Sequence, residues 1–294
     1  MQITYLGHAG FCVETSQAII IMDPWFSTKG AFDSAWFQFP RNHHMAAFVQ
    51  EKLKHEAKER FIYISHEHKD HFDADFLSSL QSSNFTFITP RFRRDELRRT
   101  LSEYPSKGVL ATADNEEVSL PGGHIRLFLY DNELNRDSAI LVKAQGYSFL
   151  NLNDCKIYDS LPTITREEGP IDVFTCQFSG ASWHPTSYDY SRKDYEAIAR
   201  KKMFSKFMTV ARSIETVGPR VFIPSAGPPC FLDPQLFHLN FEPVNIFPRA
   251  SSFVSFLKKT LRKRDVGLPE LMPGDLLDVA TGAVSYLTKE RVDD

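Results

Sequence analysis

The stretch YISHEHKDHF, Tyr63 to Phe72, places three histidines and one aspartate within six consecutive positions. Imidazole and carboxylate groups are the usual protein ligands of zinc and iron. In an extended loop His66 and His68 point to one side, whereas Asp70 and His71 lie on another. One short segment can therefore serve two metal ions a few ångströms apart. We predict that these four side chains bind two metals.

The elements around this motif predict where it lies. FIYIS (Phe61 to Ser65) has the composition of a buried strand, and DADFLSSLQSS (Asp73 to Ser83) that of a short helix. The motif is thus expected in a loop at the carboxyl end of a core strand, where ligands often converge. Other predicted strands are ITYLG, GFCVET, AIIIMDP, FTFIT, IRLFLY, SAILVKA, YSFLNL, IDVFTCQF and RVFIP.

Two helices and one turn have clear sequence signals. MAAFVQEKLKHEAK (45 to 58) has helical spacing, and a long helix is expected between Ser191, which with Asp194 resembles a capping box, and Gly218. Gln145 and Gly146 suit a tight hairpin turn. Strands mixed with helices, in two halves of similar order, predict two sheets with helices outside in one domain.

Composition limits the class of protein. The chain has 294 residues, 42% of them hydrophobic, and a net charge of -3. These values suit a large core and give no general attraction to nucleic acid or membranes. The four cysteines lack C-x-x-C spacing, which argues against a disulfide framework or zinc ribbon. The start MQITYLGHAGF does not resemble a signal peptide, so we expect a cytoplasmic protein with no nucleic-acid or membrane partner.

With its H-x-H-x-D-H pattern at residues 66 to 71, the chain resembles the metallo-β-lactamase superfamily. TYLGHAGF with IIIMDPWF is similar to the opening hairpin of that superfamily and contains Asp23, which there lies behind the metal loop. NLNDC resembles the segment with the bridging carboxylate, here Asp154. The resemblance implies an α/β fold, an αββα sandwich with the site at one edge. We expect one domain over residues 1–294, with a C-terminal extension from about residue 231.

Two positions depart from the superfamily pattern. A histidine is missing after the strand that ends LFLYDNELNRDS, where we expect Asp131 to substitute as a metal ligand, with Glu133 as second choice. The last histidine is also missing, and Ala226 in SAGPP takes its place. His8 in LGHAG is a candidate to approach the metals from the first hairpin. More oxygen ligands favour iron or manganese over zinc, so the expected cofactors are two divalent ions of iron, zinc or manganese.

A narrower resemblance covers residues of roughly 170 to 280. The segments FSGASWHPTSYDY, PRVFIPSAGPP and KKTLRKRDVGLPELMPGDLLD are similar to the metallo-β-lactamase-like domain of the CMP-N-acetylneuraminate hydroxylase family. Members of that family join this fold to a Rieske domain, which needs C-x-H and C-x-x-H pairs, and this chain has neither. The resemblance implies a Rieske domain on another polypeptide or outside this sequence, or a protein that does not perform electron-fed hydroxylation.

The loop from Gly180 to Tyr190 combines a glycine with aromatic, hydroxyl and imidazole groups. This mixture suits a substrate site, and we assign Ser182, Trp183 and Tyr188 to substrate binding. His184 is assigned to catalysis together with Asp70, because it is expected to hydrogen-bond the reacting group; a role as replacement metal ligand is the alternative. The other interpretation is a loop whose Trp183 only seals the core.

Three functions are compatible with the sequence. The favoured one is a dinuclear hydrolase of an ester, thioester or phosphoester that uses a metal-bound hydroxide. The second is an iron-dependent oxygenase that receives electrons from a separate Rieske or ferredoxin component. The third is a non-catalytic binding module with a degenerate site. In the enzymatic cases we expect a small, anionic substrate, and for the oxygenase an electron-transfer partner.

Overall fold

The computed structural model describes residues 1–132, 135–263 and 265–287. Its strands in chain order are β1 (Gln2–Gly7), β2 (Gly10–Glu14), β3 (Ala18–Met22), β4 (Glu59–Tyr63), β5 (Thr86–Pro90), β6 (Gly108–Thr112), β7 (Glu117–Leu120), β8 (Gly123–Asp131), β9 (Arg136–Ala144), β10 (Tyr147–Asn151), β11 (Val173–Gln177), β12 (Val221–Ser225), β13 (Leu276–Asp278) and β14 (Val284–Ser285). Its helices are α1 (Met45–Leu53), α2 (Ala74–Ser79), α3 (Glu96–Leu101), α4 (Leu161–Glu168), α5 (Arg192–Val217) and α6 (Ala250–Thr260).

Two sheets form the centre of the molecule. The first has the strand order β14-β13-β1-β2-β3-β4-β5-β6, and the second the order β12-β11-β10-β9-β8-β7. Strands β3 to β6 are parallel, and so are β10 to β12. Apolar side chains of both sheets, among them Phe11, Ile20, Ile140 and Phe149, pack together between them.

Helices cover the outer face of each sheet. Side chains of α1, α2 and α3 pack on the first sheet in a cluster that includes Val49 and Phe76. Side chains of α4, α5 and α6 pack on the second, with Ile164, Phe207 and Phe253 in their cluster. The layers therefore run helix, sheet, sheet, helix, which confirms the predicted αββα sandwich.

Local signals in the sequence agree with most element boundaries. The Ser191 side chain accepts a hydrogen bond from Asp194 N at the start of α5, and Gly218 ends that helix in the left-handed conformation. Gln145 and Gly146 both have positive φ, as expected of a tight hairpin turn. Helix α1 is shorter than predicted, since it ends at Leu53.

The chain's C-terminal part returns to the first sheet, where β13 pairs antiparallel with β1. Between β12 and β13 the chain forms helix α6. The division into one domain with an extension from about residue 231 stays a proposal. Within the described residues, no helix has the length and apolar character needed to cross a membrane.

Candidate metal centre

One edge of the sandwich collects the ends of strands from both sheets. Strands β1, β3 and β4 of the first sheet and β10 and β12 of the second all end there. The residues that follow four of them, His8, Asp23, Asn153 and Ala226, have positive φ although none is glycine. Such conformations cost energy and are most common at functional sites. This edge of the sandwich is therefore the candidate location of a functional site.

The first ligand group, here called the inner group, consists of His8, Asp70 and His71. His8 Nε2 lies 3.1 Å from Asp70 Oδ2, and His71 Nε2 lies 3.9 Å from the same oxygen. Asp70 and His71 are buried, and the His8 side chain is only 7% exposed. The inner group offers two imidazoles and one carboxylate in a largely dry environment.

The second, outer group consists of His66, His68 and Asp154. His66 Nε2 and His68 Nδ1 lie 2.8 Å apart, so both ring nitrogens face the same point. His66 is buried, Asp154 is half-buried and His68 is exposed. Asp154 Oδ1 also lies 3.7 Å from His71 Nε2 of the inner group. Asp154 therefore stands between the two groups, where a bridging carboxylate would be.

Hydrogen bonds behind the ligands fix the orientation of two imidazoles. The His71 ring donates from Nδ1 to Asp23 Oδ2 at 2.8 Å, and Ser65 donates from N and Oγ to the same carboxylate. His66 Nδ1 lies 2.9 Å from Ser65 Oγ, which can accept its proton because its own hydrogen goes to Asp23. Both rings then direct Nε2 to the site, and this is the nitrogen that must be free of a proton when it binds a metal.

Electrostatics favour a cation in this place. Burial works to raise the pKa of Asp70 and of Asp154, but in each case the charge of His71 and further imidazoles outweigh burial and hold the pKa below its usual value. Burial works to lower the pKa of His71, yet Asp70 and Asp154 outweigh it and raise that pKa well above normal. Burial, with His71, keeps the pKa of His66 well below normal. The carboxylates of Asp70 and Asp154 therefore stay charged. His71 keeps a proton, which lies where a metal ion would bind.

Three buried polar atoms at the site also fit a metal. Asp70 Oδ1, His71 Nε2 and Asp154 Oδ1 have no hydrogen-bond partner among the residues that the structure describes. Buried polar atoms are normally satisfied, and unmatched ones need an explanation such as a missing ion. The donors are imidazole nitrogen and carboxylate oxygen, which suit zinc or iron. The residues present are therefore compatible with two metal ions.

The two positions at which the superfamily pattern has a histidine differ in their surroundings. Ala226 N donates to His8 O at 3.0 Å, so the ends of β12 and β1 lie side by side and His8 is next to the position of the last missing histidine. Asp131 is not brought into either group, since its Oδ2 accepts from Arg93 N at 2.7 Å and the residue pairs with Arg136. Glu133 lies outside the described residues.

None of the four assigned residues of the predicted substrate loop belongs to either ligand group. Trp183 is half-buried and packs with Trp36, Phe231 and Phe247. His184 Nε2 is 3.0 Å from the Tyr190 hydroxyl, and Ser182 and Tyr188 are exposed. Rings connect the loop to His68 in steps: Trp183 to Trp36, Trp36 to Phe32, and Phe32 to His68. The assigned roles of Ser182, Trp183, His184 and Tyr188 thus stay proposals.

Asp137 and Ser65 were missed by the sequence reasoning. Asp137 Oδ1 lies 3.3 Å from His66 Nδ1, and burial followed by the charge of Asp154 raises the Asp137 pKa well above normal. Ser138 Oγ donates to Ser65 O, which ties this strand to the metal loop. The only feature of the sequence that pointed to Asp137 is that it is an acidic residue directly before the buried run of β9.

Relatives with a Rieske name share the whole length of this chain. A protein of Mycolicibacterium smegmatis with the provisional name Rieske 2Fe-2S iron-sulfur protein is 32% identical over 305 aligned positions, which cover 100% of this chain and 56% of the relative. The cytidine monophosphate-N-acetylneuraminic acid hydroxylase of Asterias rubens is 26% identical and covers 77% of this chain and 34% of its own length. The chain spans about half the length, or less, of these relatives.

Solved structures share the fold. Igni18, a metallo hydrolase of Ignicoccus hospitalis, has a TM-score of 0.60 at 15% identity, covering 94% of this chain and 97% of its own. CmlA, a diiron β-hydroxylase of Streptomyces venezuelae, has a TM-score of 0.59 at 15% identity, covering 97% and 54%. At this identity the likeness concerns the fold alone. The family model of the beta-lactamase superfamily domain matches residues 2–182, which include all six residues of the inner and outer groups. The chain therefore belongs to that superfamily.

Proposed function

We propose that the protein is the oxygenase part of a hydroxylase, with two iron ions held by the inner and outer groups. The observation that carries the proposal is the composition of the groups, since each contains two histidines and one carboxylate. That set, with open coordination positions, is typical of non-haem iron oxygenases. The sequence alone favoured hydrolysis, with His8 named only as a candidate to approach the metals. The position of His8 beside Asp70 and His71 supports a second set of this kind.

The relatives also support an oxygenase. A Rieske name over the full length of this chain, and a diiron hydroxylase of the same fold, are both compatible with oxygen chemistry. Two iron ions in this place would supply electron transfer to O₂ and oxygen insertion into a C–H bond. Overall, one substrate C–H, one O₂, two electrons and two protons give one C–OH and one water.

The chain's own residues would bind and orient. Asp23 keeps His71 Nδ1 protonated and its Nε2 directed to the inner ion, and Ser65 does the same for His66. Asp154 would bridge, because it belongs to the outer group and approaches His71. Electrons must come from elsewhere, since the four cysteines, Cys12, Cys155, Cys176 and Cys230, have no C-x-H or C-x-x-H neighbours. We therefore propose a Rieske-type electron donor, either on another polypeptide or in a part of the protein outside this sequence.

Metal analysis with oxygen kinetics tests this function. Protein produced in medium with ⁵⁷Fe and purified without added metal is expected to hold about two irons per chain, with a coupled pair in its Mössbauer spectrum. Dithionite-reduced protein should consume O₂ in a single turnover, and zinc-reconstituted protein should not. Two zinc ions per chain and no reaction of the reconstituted iron form with O₂ would refute the oxygenase.

Hydrolysis is the second candidate because the fold is shared with Igni18, a metallo hydrolase, and because hydrolysis needs no electrons. The same two ligand groups can hold zinc, which would supply a water of lowered pKa for attack on an ester, thioester or phosphoester. Zinc-loaded protein that cleaves a panel of p-nitrophenyl esters and phosphodiesters, with loss of cleavage in Asp154→Ala, would support this alternative over the oxygenase.

A further inference from the structure

A large cleft opens beside the metal centre. It has a volume of about 1410 Å³ and reaches His8 of the inner group. Pockets for small ligands usually measure about 300 to 1,000 Å³, so this one can hold a larger molecule. Because the His8 side chain is otherwise enclosed, the cleft is a direct route from solvent to the inner group.

Most of the cleft is built by parts of the chain beyond the region that the family model matches. One wall is the segment 37–43, and the opposite walls come from residues 227–251 and 268–273. Phe37 and Cys230 join two of these walls through a pair of backbone hydrogen bonds of 2.9 and 2.8 Å. Asn42 Nδ2 donates to Leu6 O and Trp25 O, each at 2.8 Å, which fixes the first wall to β1. These hydrogen bonds join the walls of the cleft to each other and to β1.

Gly7 lines the cleft and shows how closely the segment 37–43 approaches the end of β1. It has a φ of +107°, and a Cβ there would lie 2.6 Å from Gln38 Oε1 and 2.8 Å from Asn42 Nδ2. Only glycine allows this backbone conformation together with this approach. The segment 37–43 consequently lies directly over the end of β1, next to His8.

Aromatic rings at the cleft remain exposed to water. Phe39 is 60% exposed, Phe241 63% and Phe237 47%, and all three line the cleft. Clustered exposed apolar side chains around a concavity typically mark a binding site. A ligand with an extended hydrocarbon portion would bury these rings, whereas a small polar metabolite would leave them in water.

Two guanidinium groups give the same cleft a cationic position. Arg41 and Arg249 both line the cleft together with Cys230, and the charge of each arginine acts on the Cys230 thiol and works to lower its pKa. Arg249 also lies over the Phe241 ring at 5.7 Å and donates to Asn240 O. Glu270 is the one carboxylate among the described lining residues. Arginine pairs with planar oxyanions such as carboxylates by two parallel hydrogen bonds.

We propose that this cleft binds a long-chain carboxylate as the substrate of the metal centre, with the carboxylate at Arg41 and Arg249 and the hydrocarbon portion along Phe39, Phe237 and Phe241. The inference rests on the proposed function for the reaction, since it names the substrate class of the same site. It does not depend on that function for binding.

Binding is tested with the metal-loaded protein under nitrogen, where no oxygen reaction takes place. The fluorescent fatty acid cis-parinaric acid is titrated into the protein and then displaced by competitors. Palmitate is expected to displace it, 1-hexadecanol to bind at least about tenfold more weakly because it lacks the charge, and acetate to have no effect because it lacks the chain. Equal displacement by palmitate and hexadecanol would overturn the assigned anion position.

Variants test the residues against matched controls. Arg41→Gln and Arg249→Gln are each expected to weaken palmitate about tenfold, and Arg94→Gln, an exposed arginine outside the cleft, should leave it unchanged. Phe39→Ala and Phe241→Ala should each weaken it about three- to tenfold. Phe204→Ala, 55% exposed on α5, is the aromatic control. Cleft variants that bind like their controls would overturn the proposal.

Three further results test the ligand and keep this inference separate from the proposed function. Co-sedimentation with phosphatidylglycerol vesicles, combined with no binding of free palmitate, would replace the soluble ligand by a membrane surface and overturn the proposal. Palmitate binding in a protein that shows no reductant-dependent O₂ uptake would support the cleft assignment while refuting the oxygenase. Oxygen uptake without palmitate binding would do the reverse.

Discussion

The inner and outer ligand groups have the same composition but different enclosure. Asp70 and His71 of the inner group are buried, and His71 is held by Asp23 at 2.8 Å. In the outer group His68 is exposed, with the Phe32 ring 6.2 Å away. A buried ligand with a fixed hydrogen-bond partner keeps its geometry without metal, whereas an exposed one must be ordered when the metal binds. We therefore expect the two ions to be held with unequal strength.

The largest effect is expected where the two groups meet. Asp154→Ala should lose both ions, because the residue belongs to the outer group and its carboxylate also faces His71. Metal content measured by mass spectrometry should fall to a small fraction of wild type, with an unchanged far-ultraviolet circular dichroism spectrum. Asp159→Ala, an exposed aspartate nearby, is the control. Two ions at wild-type occupancy in Asp154→Ala would show that it does not bridge.

One ion should be lost when a single group is damaged. His68→Ala is expected to remove the outer ion and leave the inner one, and His8→Ala the reverse. In the wild type a chelator should remove the ions in two phases, of which the faster disappears in His68→Ala. Stopped-flow absorbance with a coloured chelator measures both rates. A single phase for wild type, or the same remaining phase in both variants, would contradict the difference between the groups.

The sequence predicted the part of the site that is local in the chain. His66 to His71 lie within six residues behind β4, so strand, loop and ligands could be recognised together. His8 was harder, because its position depends on Ala226 at the end of β12 in the other sheet. No periodicity or spacing records a contact between residues more than two hundred positions apart.

The position of the Asp131 carboxylate could not be predicted for a different reason. Strand β8 extends through Asp131, which pairs with Arg136, and its carboxylate accepts from Arg93 N. The sequence predicted a strand that ended one residue earlier, and the superfamily resemblance led us to expect Asp131 as the ligand in place of the missing histidine. Which way an acid points at a strand end depends on the register of the hairpin, and one residue of shift reverses it. The fold was predictable from patterns, but this ligand was not.

The pH dependence of metal binding should also differ between the groups. The raised pKa of His71 means that it keeps its proton until the pH passes that value, so an inner ion must displace a proton at lower pH. The lowered pKa of His66 means that it is already neutral near pH 7. Inner affinity should fall about tenfold per pH unit on acidification, and more steeply than outer affinity.

Calorimetry in buffers of different ionisation enthalpy measures this difference as protons released per ion. His68→Ala, which is expected to keep only the inner ion, should release about one proton per metal at pH 7. His8→Ala should release fewer. Equal proton release from the two variants would show that the His71 proton is not linked to the inner ion.

The smallest effect on catalysis is expected from a substitution of His184. This substitution distinguishes the catalytic role that the sequence suggested from the contacts that the structure shows for this side chain. His184 Nε2 lies 3.0 Å from the Tyr190 hydroxyl, and the neighbouring Trp183 packs with Trp36 and Phe231 instead of facing the ligands. We expect His184→Ala to change kcat and KM by no more than about threefold. Trp183→Ala, by contrast, should lower the free energy of unfolding by about 2 kcal/mol, since it leaves a gap in a half-buried aromatic cluster. Thermal unfolding and steady-state kinetics of both variants measure this contrast. A hundredfold loss of turnover in His184→Ala at an unchanged Tm would instead establish the catalytic role that the sequence suggested, and would require the loop to close over His68 when substrate binds.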